Sequence, residues 1–130
     1  MTGEPRKTVD LFEEHNRASN VLLRGYLRLY ILEQLHRQPG TGAEMAETLH
    51  ESCKWKPSPG TIYPLLRRLE REGLVESRWD TSSKPQRVYK LTEDGEEERV
   101  RLREQLEPQL RHTLRMLQIH IEYLFGEGRG

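Results

Sequence analysis

Apolar residues recur along this chain with two distinct periods. Between residues 20 and 38, Leu23, Leu27, Tyr30, Ile31 and Leu35 fall three or four apart, the period of an α-helix with a covered side. Leu22, Leu29 and Leu32 widen that stripe. The helix predicted over Asn20–Gln38 is therefore covered on more than one side, with surface left for a second subunit. Pro39 and Gly40 end it. Thr41-Gly42-Ala43-Glu44 has the form of a capping box, opening a second helix over about residues 42–52 with Met45, Ala46 and Leu49 inward. A basic loop, Lys54-Trp55-Lys56-Pro57, leads to Ser58 as N-cap and Pro59 as the first residue of a third helix. Ile62, Leu65, Leu66 and Leu69 form its buried stripe, and Gly73 suits a left-handed cap. Pro64 falls inside this helix and presses on the carbonyl of Gly60, which predicts a local distortion.

The period then changes to two. Leu74–Trp79 and Gln86–Leu91 alternate as strands, and Asp80–Pro85 between them is turn chemistry, so a β-hairpin is expected. Trp79, at the end of the first strand, reads as a core residue. Thr92-Glu93-Asp94-Gly95 begins a last helix, from Glu93 to Phe125, whose first turns hold acids against the positive helix end. Pro108 is expected to kink or divide it. Beyond that proline, Leu110, Leu114, Leu117, Ile121 and Leu124 alternate four and three apart, a short heptad seam suited to packing along a partner.

The chain therefore divides into an arm or short helix (1–19), a helical and hairpin domain (20–92), a long helix (93–125) and a tail (126–130). Val9, Leu11 and Phe12 are a small apolar cluster in the arm. The predicted fold class is mainly α with a small β-hairpin.

With 130 residues there is room for one ordinary domain. Leu, Ile, Val and Phe make up 23% and charged residues 32%, a lean core that suits exposed helices or subunits sharing a core. The longest strictly apolar run is four residues, Leu29–Leu32, too short to span a bilayer, and Met1–Asp10 is polar and lacks the form of a secretory signal. Cys53 is the single cysteine, which excludes an internal disulfide and makes a cytoplasmic setting the default. The formal net charge is zero but unevenly spread. Residues 54–90 carry nine basic and four acidic groups, whereas residues 91–107 carry three and seven. A basic stretch of this kind is the electrostatic footprint of a nucleic-acid surface, or simply a solvated face.

The order helix, helix, helix, hairpin, long helix is that of a winged helix-turn-helix followed by a long C-terminal helix. In that arrangement the helix from Ser58 to Glu72 enters the major groove. Its outer face carries Gly60, Thr61, Tyr63, Pro64, Arg67, Arg68 and Arg71. The open N–H groups of the first turn and the hydroxyls of Ser58, Thr61 and Tyr63 suit phosphate. Arg67 and Arg68 suit phosphate or guanine edges. Arg71 is expected to pair with Glu51 or Glu72. Lys84 and Arg87, in the wing, would touch the backbone or minor groove.

At these residues the sequence resembles the PadR-like winged-helix transcriptional regulators. Pro57-Ser58-Pro59-Gly60-Thr61-Ile62-Tyr63-Pro64-Leu65-Leu66-Arg67-Arg68-Leu69-Glu70-Arg71-Glu72-Gly73-Leu74 is similar to that family's recognition helix. Lys84–Gly95 is similar to its wing and wing exit, with Gln86 where the family is usually more basic. Leu23-Arg24-Gly25 and Thr41–Met45 match its first two helices. The resemblance implies DNA contacts at Ser58, Gly60, Thr61, Tyr63, Arg67, Arg68, Lys84 and Arg87. It also implies a homodimer joined through the last helix, of the smaller branch with one such helix, acting on a palindromic operator and most simply as a repressor. Some members bind flat aromatic drugs or phenolic acids between subunits, so a small aromatic effector at the dimer seam is a further implied partner.

Other chemistries have less to stand on. His15, His36, His50, His112 and His120 form no metalloprotease spacing, and His112, Met116 and His120 share one stripe of the last helix. Cys53 beside Lys54 reads as a packing cysteine before a redox sensor. Nucleophile triads, phosphate loops and paired carboxylates do not appear, so no enzyme and no cofactor is expected. The alternative is a winged helix that binds protein instead of DNA, in which the outer arginines would have no purpose.

Overall fold

The computed structural model describes residues 25–54 and 57–126. Its elements are α1, over residues 25–37; α2, Gly42–Cys53; α3, Pro59–Arg71; β1, Val75–Asp80; β2, Gln86–Leu91; and α4, Glu93–Phe125. The expected arm over residues 1–19, Trp55 and the Cys53 side chain lie outside what is described.

Local sequence sets most of the boundaries. The Thr41 hydroxyl accepts from the Glu44 N–H at 3.1 Å, and the Glu44 carboxylate accepts from the Thr41 N–H at 2.9 Å, completing the capping box. Gly73, at φ 78°, ends the turn after α3 in the left-handed region open to glycine. Ser58 occupies the N-cap of α3, but its hydroxyl does not cap the backbone. It lies instead 3.3 Å from the Thr61 hydroxyl.

Neither internal proline breaks its helix, and α3 and α4 each run through as one element. The carbonyls that lose a partner belong to Gly60 and Glu104, and both residues, like both prolines, are exposed. Water can serve those carbonyls, so the cost of the lost bond is moderated.

The core is where α1, α2, α3 and the base of the hairpin meet. Leu27, Ile31 and Leu32 of α1, Leu49 of α2, Ile62, Leu66 and Leu69 of α3, and Val75 of β1 are its most deeply buried large side chains. The strands pair antiparallel, with Val75 opposite Leu91, Ser77 opposite Tyr89 and Trp79 opposite Arg87. On its other side, β2 is bridged to the α1–α2 turn. The Gly40 N–H donates to the Tyr89 carbonyl at 3.0 Å, and the Tyr89 N–H donates back at 2.8 Å. At the wing exit, the Thr92 N–H donates to the Leu74 carbonyl at 3.1 Å, and the Thr92 hydroxyl donates to the Gly73 carbonyl at 2.7 Å. Hairpin and helix are thus tied at both strand ends.

α4 has two unlike halves. In its first half Leu102 and Leu106 are buried in the core, Leu106 beside Gly25 of α1. Its acids do more than face a helix dipole. Glu96 pairs with His36 at 2.7 Å, and Glu98 takes Arg28 at 3.4 Å. Arg99 and Arg103 reach back to Glu33 at 3.2 and 2.7 Å. Burial pushes the Glu33 carboxyl up, but hydrogen bonds from Arg103 and Arg99 outweigh it and hold the group below its ordinary value. Arg28 also takes Glu72 at 2.5 Å, so Glu72, one of the two partners expected for Arg71, is held by α1. In the second half, Leu114, Leu117, Ile121 and Leu124 are all more than half exposed, and Leu110 is half-buried.

Candidate nucleic-acid interface

The outer face of α3 is built by subtraction. Ile62, Leu66 and Leu69 turn into the core, so Gly60, Tyr63, Pro64, Arg67 and Arg71, on the opposite side of the helix, turn to solvent. Thr61 and Arg68 stand on one flank of that row. All eight residues singled out for DNA contact are exposed: Ser58, Gly60, Thr61, Tyr63, Arg67 and Arg68 along α3, and Lys84 and Arg87 in the hairpin.

The first turn of α3 offers less open backbone than the sequence suggested. The Thr61 N–H is already spent on the Ser58 carbonyl at 2.9 Å, which also accepts from Ile62 at 3.1 Å. With proline at 59, the Gly60 N–H remains at the open helix end. A Cβ on Gly60 would meet nothing nearer than the Ser58 hydroxyl at 3.6 Å, so no packing inside the protein demands glycine there. Tyr63 has a mixed place. It is 39% exposed, and its ring edge lies against Gly42, where a Cβ would come within 2.7 Å of Cε1. Gly42 therefore lets α2 approach closely enough to support the tyrosine ring.

The hairpin is anchored to α3 by a polar relay that no local pattern announces. The Arg87 Nη1 donates to the Ser77 hydroxyl at 2.9 Å, and that hydroxyl donates to the Glu70 carboxylate at 2.8 Å. The Arg87 guanidinium also sits 5.5 Å from the centre of the Trp79 ring. Trp79 is 57% exposed, so it is not the core residue the sequence suggested. It shares a strand face with Val75 and Ser77, but the apolar core ends before it. Burial raises the pKa of the Tyr89 phenol, and the Glu70 charge raises it further against Arg87 and Arg67. The Ser77–Glu70 hydrogen bond holds the inner face of the hairpin against α3. In the turn, the Asp80 carboxylate accepts from the Ser82 N–H at 3.0 Å and its hydroxyl at 2.9 Å, which holds Asp80 below the usual carboxylate range. No cluster of His, Cys, Asp or Glu among the described residues could hold a metal ion. Nor is any described helix long and apolar enough to cross a membrane.

This architecture matches a known one. The model of the transcriptional regulator PadR-like family fits residues 31–101, from α1 through the hairpin into α4. The chain belongs to that family. Over 92 residues, this PadR-like chain is 34% identical to the transcriptional regulator Rv3488 of Mycobacterium tuberculosis, matching 70% of this chain and 85% of that one. It is 36% identical over 85 residues to the transcriptional regulator YqjI of Escherichia coli. That match takes in 64% of this chain but only 40% of YqjI. Among solved structures, a PadR family transcriptional regulator from Eggerthella lenta superposes with a TM-score of 0.65 at 29% identity, covering 82% of this chain and 96% of that one. A PadR-like regulator from Bacillus cereus gives 0.64 at 27%, covering 75% and 96%. The winged-helix assignment and the long C-terminal helix are therefore shared with these structures.

Proposed function

We propose that this PadR-like regulator binds DNA sequence-specifically as a homodimer, with α3 in the major groove and the hairpin along the adjoining backbone. The observation that carries the reading is the solvent-facing row Gly60, Tyr63, Arg67 and Arg71, whose two arginines are paired with no carboxylate among the described residues. The exposed leucine and isoleucine seam of α4 is the surface for a second copy. Two recognition helices related by a two-fold axis would read a palindrome with half-sites about 34 Å apart. A dimer seated over a promoter blocks it, so repression is the simplest output. A small aromatic effector at the seam would act by changing the spacing of the two helices.

The test is selection of duplexes from a randomised pool, followed by fluorescence anisotropy on the selected DNA at two salt concentrations. We expect selective binding whose log affinity falls with log salt by about 0.9 per phosphate neutralised. Arg67→Ala should cost about 1–3 kcal/mol and relax specificity at one position per half-site. Recovery of no preferred duplex, or binding indifferent to salt, overturns the reading and leaves a protein-binding winged helix.

A further inference from the structure

The recognition helix does not account for Trp79. A tryptophan more than half exposed at the outer end of a two-stranded hairpin contributes little to the core of its own chain. Its surroundings are nevertheless specific. Strand alternation puts Val75, Ser77 and Trp79 of β1 on one face, with Leu91, Tyr89 and Arg87 opposite them in register. The first pair closes the core, since Val75 is buried. In the second pair Tyr89 is buried and Ser77 is hydrogen-bonded to Glu70 of α3. The third pair, Trp79 and Arg87, continues along the same face beyond the core, and the Arg87–Ser77–Glu70 hydrogen bonds tie it to α3.

We propose that Trp79 and Arg87 form one duplex-contacting unit, in which Trp79 lays its indole against the sugar–phosphate backbone flanking the groove that α3 occupies. The proposal rests on the DNA-binding reading above and adds to it a contact residue that the helix face does not contain. Arg87 is prepared for this place on two sides. The Ser77 hydroxyl fixes one guanidinium nitrogen, and the Trp79 ring lies under the cation. A guanidinium has five N–H donors, and the relay to Ser77 uses one nitrogen of three, so the rest can face a phosphate. The indole supplies an apolar plate for deoxyribose and one N–H donor. Ser77 and Glu70 are positioning residues: they carry the orientation of Arg87 back to the recognition helix, so that wing and helix meet the duplex in fixed register.

The chain has two tryptophans, so Trp55→Phe leaves Trp79 as the single reporter. The DNA is a duplex selected by the wild-type protein from a randomised pool. On binding it, the Trp79 emission of Trp55→Phe should be quenched or shifted and should lose most of its accessibility to acrylamide. Trp79→Ala should weaken binding by roughly tenfold with no loss of thermal stability, and Trp79→Phe should recover part of the affinity. Ser77→Ala should weaken binding less than Arg87→Gln, because it loosens the guanidinium without removing it. If the wild type selects no duplex, the DNA-binding reading itself fails and this one with it. If the wild type binds while Trp79→Ala binds within twofold and Trp79 stays open to acrylamide, the wing contact alone is overturned. The acrylamide experiment uses the native Trp79 side chain, so it decides the matter even should Trp79→Ala fold poorly.

Discussion

Replacing Gly95 by alanine should damage the joint between hairpin and α4 more than any change to the exposed surface. A Cβ there would lie 2.1 Å from the Leu74 carbonyl oxygen and 2.6 Å from Leu91 Cδ1. The first neighbour is backbone, and it already accepts the Thr92 N–H at 3.1 Å. An ordinary carbon–oxygen contact is about 3.3 Å, so the helix start must retreat by about 1 Å. That retreat strains the Thr92 bond and the cap that its hydroxyl makes with the Gly95 N–H at 3.0 Å. Overpacking costs about 1–3 kcal/mol, and the small gain in helix propensity over glycine offsets about 1 kcal/mol at most. A clash this close with a backbone oxygen belongs at the upper end of that range, which leaves a net loss of about 2 kcal/mol, a fall in Tm of roughly 4–16 °C for a chain of 130 residues. Thermal unfolding followed by circular dichroism at 222 nm would read it, with urea unfolding to check that the slope is unchanged. The control is Gly73→Ala, whose Cβ would meet nothing within 4 Å and which costs only the strain of φ 78°, about 1 kcal/mol. If Gly95→Ala melts within 2 °C of wild type, α4 is not seated on Leu74 as described, and the reasoning fails.

Three further outcomes are expected. Gly60→Ala should leave Tm unchanged or slightly higher, since the new Cβ has open space, yet should weaken binding to a selected duplex if the backbone must approach phosphate there; equal affinity in anisotropy would remove Gly60 from the interface. Leu117→Asp combined with Ile121→Asp should yield a folded monomer in analytical ultracentrifugation, and a persistent dimer would put the seam elsewhere. Glu33→Gln should lower stability at neutral pH and flatten the acid limb of the stability profile. The Glu33 pKa is held down in the folded state, so its contribution is present above the ordinary carboxylate value and fades as pH falls through the lower folded one. Parallel acid unfolding curves for the two proteins would show that the Arg99 and Arg103 pairing is not coupled to folding.

Much of the fold was legible because its elements announce themselves locally. The capping box at Thr41, the left-handed glycine at 73 and the switch of apolar period from four to two all place their elements within a residue or so. The exposed face of α3 followed from the buried stripe of Ile62, Leu66 and Leu69. What escaped was set by meetings between distant segments. Alternation reveals which face Trp79 is on, not how far along that face the core reaches. Arg28 claims Glu72 from 44 positions away, and no helix-local rule competes with that. The Ser58 hydroxyl suits a cap by residue type, yet lies beside Thr61 instead. Likewise, the bridge from Gly40 to Tyr89 joins a turn to a strand 49 residues on, and its only trace in the sequence is a glycine already explained as a helix stop.

The two-part build of α4 makes it a lever with its fulcrum near Leu106. The arm from Leu106 to Phe125 spans 19 residues, about 29 Å of helix at 1.5 Å each. A tilt of about 5° at the fulcrum moves the free end by about 2.5 Å, a displacement comparable with half a helical turn. The short arm ends at Gly95, pressed on Leu74 at the root of the wing. A partner gripping the long arm would thus work at a mechanical advantage against the hairpin: the same tilt moves Gly95, 11 residues or about 16 Å from the fulcrum, by only about 1.4 Å, so a wide swing at the free end becomes a small, forceful step at the root of the wing.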